Sequence, residues 1–270
     1  MGTTVRWPAV GLAALAAGLG LLASCGSGTA ADAKSATAVY KPVVPEDVLN
    51  QLITDESKAL RDAVAKASDK KMASKARSVA LVIAVYAQDE ALRGGDKAAA
   101  MAGLRDTALK LAKAVSDGKL DEAKKLAGDV TPAGKPDAAA KPGPVPVAED
   151  FEIDILMQVF KPERGGGLEW EKKFQTLMNK RAAYTPADYK QIVPMMYRIA
   201  TVAQVTEAMV PAPMGKKTPA DWVKYSHDME SEAIAAAELA KKSKPDDKMV
   251  KAALKKLDAT CTACHEKFRD

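Results

Sequence analysis

The chain has 270 residues, with 40 Lys and Arg against 35 Asp and Glu and only two His, for a formal net charge of +5. So mild an excess, spread along helix faces, argues solvated surface and is too small to argue nucleic-acid binding. Two histidines and a Gly165–Gly167 run that lacks the strand and signature of a phosphate loop leave hydrolytic and nucleotide-dependent catalysis without parts.

Met1 to Ser24 carries one early charge, Arg6, followed by a charge-free run from Val10 to Ala23. This is too short for a membrane span and reads as an export signal. Leu22-Ala23-Ser24-Cys25 looks like a bacterial lipobox, which predicts cleavage before Cys25 and an acyl anchor on its thiol, holding the chain at the periplasmic side of a membrane. An ordinary signal peptide with an incidental Cys is the alternative. Gly26 to about Pro45 is small, polar and Pro-punctuated, and reads as a flexible tether.

The rest is dominated by Ala, Lys, Leu and Glu, with 5% aromatic residues, and reads as all-α. A Pro/Ala-rich linker, Thr131 to about Val147, separates a first segment (46–130) from a second (148–270). The first shows helical periods over about 46–67, 70–93, 95–116 and 119–129. Val79, Ile83, Tyr86 and Glu90 mark the second of these, and Leu104, Ala108, Leu111 and Val115 the third. The second segment gives about 151–182 with an interruption, 187–209, 219–242 and 246–269. Thr185-Pro186-Ala187-Asp188 and Thr218-Pro219-Ala220-Asp221 each supply a capping Thr, Pro in the first turn and an acid at the third position. Pro194 should kink its helix or delay its start. Phe151, Ile153, Ile155, Met157 and Val159 alternate as a strand would, but their place in the order of elements favours helix. Short connections predict two tandem antiparallel four-helix bundles.

The segments read as repeats. Ala87-Gln88 matches Ala203-Gln204, and 124–134 lies under 255–265, so that Val130, Ala133 and Gly134 stand where the second copy has Cys261, Cys264 and His265. Only the second copy then carries the chemistry of those three residues. Alignment of Ala/Lys-rich helices by composition alone is the competing account.

The last ten residues are Cys-Thr-Ala-Cys-His-Glu-Lys-Phe-Arg-Asp, and Cys-x-x-Cys-His is the attachment signature of c-type haem. Two thiols bond the porphyrin vinyl groups while the adjacent imidazole reaches the iron. Cys261, Cys264, His265 and Phe268 fall on one helical face, continuing an apolar stripe through Val250, Leu254 and Leu257. A zinc site needs a fourth ligand, and besides Cys261, Cys264 and His265 the chain offers only Cys25, assigned to the lipid anchor, and His227. A redox pair would open a helix after a strand, and a disulfide across three helical residues is strained. Zinc and thiol chemistry remain the lesser readings.

A helical bundle ending in Cys-x-x-Cys-His-x-x-Phe-Arg resembles the cytochrome c prime family, the class II c-type cytochromes, over about Glu149 to Asp270. The resemblance implies one covalent haem c, thioethers at Cys261 and Cys264, His265 as proximal ligand, Phe268 against the haem, and Arg269 near a propionate or the haem edge. It also implies periplasmic electron transfer or binding of small gases. The lipid anchor, the extra bundle, and a first helix broken by Lys161-Pro162-Glu163-Arg164-Gly165-Gly166-Gly167 depart from that family. Met157 is the candidate sixth ligand, which would close the site for outer-sphere electron transfer. A core role for Met157, with Leu156 or Phe160 capping an open distal face, is the alternative. His227 lies opposite Tyr225 and Met229 on its helix and should face solvent, while Glu149-Asp150 and Asp246-Asp247 read as helix-start charges. The expected function is a lipid-anchored mono-haem electron carrier, not an enzyme, working with redox partner proteins of the cell envelope. A gas-binding (NO/CO) haem protein is the alternative. Membrane contact is expected through Cys25, nucleic acid is not expected, and a homodimer is left open.

Overall fold

The computed structural model describes residues 41–137, 140, 152–210 and 218–268. Among the described residues every regular element is helical. The helices are α1 (Glu46–Ala65), α2 (Lys70–Arg93), α3 (Ala98–Ser116), α4 (Leu120–Asp129), α5 (Ile153–Met157), α6 (Trp170–Met178), α7 (Pro186–Glu207), α8 (Pro219–Ala240) and α9 (Asp247–Phe268). Two 3-10 turns, Gln158–Phe160 and Glu163–Gly165, link α5 to α6. No described helix is long and apolar enough to cross a membrane.

Helix starts follow local chemistry. Asp69 accepts from the amides of Lys71 and Met72 to open α2. Thr185 and Thr218 each close a capping box with the acid three residues on, Asp188 and Asp221, with Pro at the first position. α7 starts at Pro186 without delay and carries Pro194 in its interior. Asp246 Oδ1 takes the amides of Lys248 (2.8 Å) and Met249 (3.1 Å) at the start of α9.

α1 lies against α2 and α4, α2 against α3, and α3 against α4. In the second segment α7 lies against α6 and α8, and α9 against α8 and α6. The segments also meet each other, for α5 and the turn after it pack on α2, and α1 and α2 touch α7. This position explains the thick apolar run on α2. From Val79 to Ala87 every residue is buried, because neighbours cover the helix all round.

The interrupted helix of the second segment is α5, two 3-10 turns and α6. Leu156 and Val159 are fully buried at helical spacing, and Ser78 Oγ donates to the Ile155 carbonyl at 2.6 Å, so this stretch is helix despite its strand-like alternation. Gly166 has φ +83, and a Cβ there would collide with the Lys71 carbonyl. Only glycine lets the loop lie this close to α2.

The end of the expected flexible tether and the start of the expected Pro/Ala-rich linker are partly packed. Lys41–Pro45, the end of the expected tether, docks on the helices: Val44 is fully buried, and the amides of Val43 and Val44 donate to Asp89. Val130, the last residue before the expected linker, is fully buried, and within the linker Gly134 (φ +64) lies where a Cβ would meet the Ala100 carbonyl of α3. Val44 in an otherwise polar stretch gives the first a foothold on the core, and Val130 holds the chain in the core just before the second. Cys25 and the export signal lie outside the described residues.

Candidate functional site

α9 carries Cys261, Cys264, His265 and Phe268 on one continuous helix. Val250, Leu254 and Leu257 are fully buried and hold it in the core. One turn later the stripe surfaces: Cys261 and Cys264 are half-buried and His265 is exposed. Both thiols are free. Cys261 Sγ lies 3.9 Å from Met229 Sδ on α8. Burial pushes the Cys261 thiol up to about 12, helped by the Asp258 carboxylate, and burial also raises Cys264. A thiol so protonated at neutral pH is a poor nucleophile for disulfide exchange.

The end of α9 is fastened to the start of α8. Phe268 meets Trp222 edge-on at 5.2 Å and Tyr225 at 6.0 Å. Trp222 is buried, and its indole N–H donates to the Thr206 carbonyl of α7 at 2.6 Å. Lys267 Nζ lies 2.7 Å from Asp221, the acid of the α8 capping box. The capping signal of α8 and the motif of α9 thus share one corner of the molecule.

On its other flank α9 faces α6. Gln175 Nε2 donates to Asp258 Oδ1 at 2.5 Å, and the carboxylate of Glu171 acts on Cys261. Trp170 at the start of α6 takes the edge of Phe160 at 5.6 Å. Met157 is half-buried on α5, the element packed against α2, and Leu156 beside it is fully buried. His227 is exposed, as its position around α8 required. Arg269 and Glu149-Asp150 lie outside the described residues.

Of the acids read as helix-start charges, Asp246 is the cap of α9. Asp247 has a further role: it takes the Tyr184 amide at 2.7 Å and the hydroxyl of Tyr189, tying α9 to the start of α7. Nothing local in the sequence announces that bond, since its partners lie about 60 residues away. Trp222, Tyr225 and Met229 carry a local signal, the apolar face of α8, but which motif residues they meet is set by how α8 and α9 pack.

The residues present fit a covalently bound haem. Two free thiols and an imidazole with no hydrogen-bond partner among the described residues emerge together where an apolar stripe reaches the surface, flanked by Met229 and aromatic rings. Among the described residues no group of three or more His, Cys, Asp or Glu side chains is placed to hold a metal ion. No family model, curated protein or solved structure matches the chain.

Proposed function

We propose that this chain is an exported, lipid-anchored mono-haem cytochrome of the c type, an electron carrier of the cell envelope, related to the cytochrome c prime family. The observation that carries the reading is the presentation of Cys261, Cys264 and His265 on a single helix, with free thiols and an unengaged, exposed imidazole. Haem bound there supplies a one-electron iron couple. The chain's own residues then divide the work. Cys261 and Cys264 would hold the porphyrin and His265 would ligate the iron, while Phe268 against Trp222 and Tyr225 fastens the turn that carries them.

The two segments are proposed to be duplicated four-helix bundles, each with its helices arranged in a ring of neighbours. What supports a haem-free first copy is the end of α4. The helix stops at Asp129, and the chain turns away through Val130 to Gly134, where the second copy runs on as helix to Phe268. Val130, Ala133 and Gly134 offer neither thiol nor imidazole.

Production of the mature chain in a host competent for c-type maturation tests the reading. A mass gain of one haem with a Soret band is expected, and both are expected to vanish in the Cys261→Ser/Cys264→Ser double variant. A chain without haem would overturn the proposal. A methionine–iron charge-transfer band that disappears in Met157→Ala supports the closed site of a carrier. High-spin ferric features with ready carbon monoxide binding would assign the open face of a gas binder instead.

A further inference from the structure

Positive charge gathers at the end of the second segment away from the motif. Two connections meet there, 179–185 between α6 and α7 and 241–246 between α8 and α9. Asp247 joins them by taking the Tyr184 amide at 2.7 Å and the Tyr189 hydroxyl, and Lys251 Nζ donates to the Ala182 carbonyl at 2.9 Å. Residues 180–190 and 238–255 hold nine Lys and Arg against four Asp and Glu, a surplus equal to the formal +5 of the whole chain. The four acids are engaged within the fold. Asp188 closes the capping box of α7 and takes Lys180 at 2.6 Å, Glu238 accepts from the Tyr197 hydroxyl, Asp246 caps α9, and Asp247 ties α9 to α7. Arg181, Lys190, Lys242, Lys244, Lys248 and Lys255 are exposed and form no ion pair among the described residues.

The other end of the same helices differs. There Lys267 is paired with Asp221 and Lys224 with Asp228. Cys261 lies 14 residues beyond Asp247 on α9, about 21 Å along a helix, so the basic surface and the motif are separate. Met249 adds an apolar side chain to the basic end: it is 49% exposed in the first turn of α9, next to Lys248. Composition points to the kind of partner. Eight of the nine bases are lysines, whereas protein interfaces favour Arg and aromatic residues and are depleted in Lys. An anionic lipid surface selects by charge alone, since its head groups move to meet flexible ammonium groups, and an exposed apolar side chain enters beside them.

We propose that this end of the second segment, centred on Lys244, Lys248 and Lys255, is a docking surface for the anionic head groups of a phospholipid bilayer. The contact is electrostatic, and no bond is made or broken. It depends on neither the haem nor the anchor assignment, since no residue of the motif and no acyl chain takes part.

The full chain carrying Cys25→Ser, so that no acyl group contributes, is mixed with vesicles of phosphatidylcholine alone or of equal parts phosphatidylcholine and phosphatidylglycerol. Binding is read by cosedimentation at low salt. Retention by the mixed vesicles and not by phosphatidylcholine is expected, and high salt should abolish it by screening exposed charge. Each base near an anionic surface is worth about fivefold in binding, so Lys244→Gln/Lys248→Gln/Lys255→Gln is expected to weaken it by about a hundredfold. Lys66→Gln/Lys110→Gln/Lys125→Gln, which removes the same charge from exposed sites of the first segment, should leave most of it. Met249→Ser should cost about fivefold on the same vesicles. Unchanged circular dichroism in each variant shows that the fold is intact. No retention by anionic vesicles, or equal loss in the two triple variants, would overturn the proposal. Binding to poly-glutamate through the same lysines without vesicle binding would also overturn it, and would assign the surface to an acidic protein.

Discussion

Arg198 Nε lies 2.9 Å from Glu56 Oε1, joining α7 to α1 across 142 residues of sequence. Both side chains are nearly out of water, at 13% and 5% exposure, with Asp55 3.2 Å from the guanidinium and the Trp170 ring 5.9 Å away. The pair sits in the wall of a cleft of about 400 Å³ between the two segments. Removing one partner strands the other charge, so Arg198→Met is expected to cost about 3–5 kcal/mol in urea unfolding. The double variant with Glu56→Gln should recover much of that loss.

The same pair predicts a pH dependence. Burial holds the Glu56 carboxyl above its ordinary value of 4.5, against the pull of Arg198. The folded chain then binds this proton more tightly than the unfolded one. The contribution to stability is fully present below the unfolded value and is lost as pH rises through the folded one. Unfolding free energies from acidic to neutral pH should fall less steeply in Glu56→Gln than in the parent chain.

Asp89 fastens the entering segment Lys41–Pro45. It accepts from the Val43 amide at 2.8 Å and the Val44 amide at 3.4 Å, and Arg93 Nη2 lies 2.9 Å from it. Asp89→Ala leaves the two amides without their acceptor, at about 1–3 kcal/mol for a buried donor. Hydrogen exchange at Val43 and Val44 is expected to accelerate while exchange in α2 and α3 holds, with proteolytic cleavage appearing near Lys41.

Phe268→Ala removes both edge-on ring contacts of the last turn of α9. A loss of about 1 kcal/mol per ring pair is expected in thermal or urea unfolding. If the chain carries the proposed haem, its yield relative to total chain should drop as well, because the turn carrying His265 loses its hold on α8. Phe268→Leu should restore more of the stability than of the ring contact.

Gly134→Ala asks a residue with a Cβ to hold φ +64 against the Ala100 carbonyl. The left-handed conformation alone costs about 1–2 kcal/mol, and the collision adds to it. A lower unfolding midpoint is expected, with the spectrum of the proposed haem unchanged, since the turn packs on α3, a helix of the first segment.

Local chemistry made most of the secondary structure legible. The capping threonines, the prolines after them and the 3.6-residue periods place α1 to α4 and α7 to α9 within a few residues of where they lie. The motif was legible because Cys-x-x-Cys-His is contiguous and needs no tertiary contact to be recognised. The docking of Lys41–Pro45 through Val44 was not, since an isolated apolar residue in a polar stretch has no period to betray it.

Spacing along one chain therefore determined the helices, their starts and the face on which Cys261, Cys264 and His265 meet. Only the tertiary structure decided that Met229 and Phe268 with Trp222 frame that face, that Asp247 ties two helices, and that Gln204 of α7 holds Lys41. The reason is physical: a helix period depends on neighbours three and four residues away, whereas these contacts join residues 32 to 163 apart, whose meeting depends on how whole helices pack.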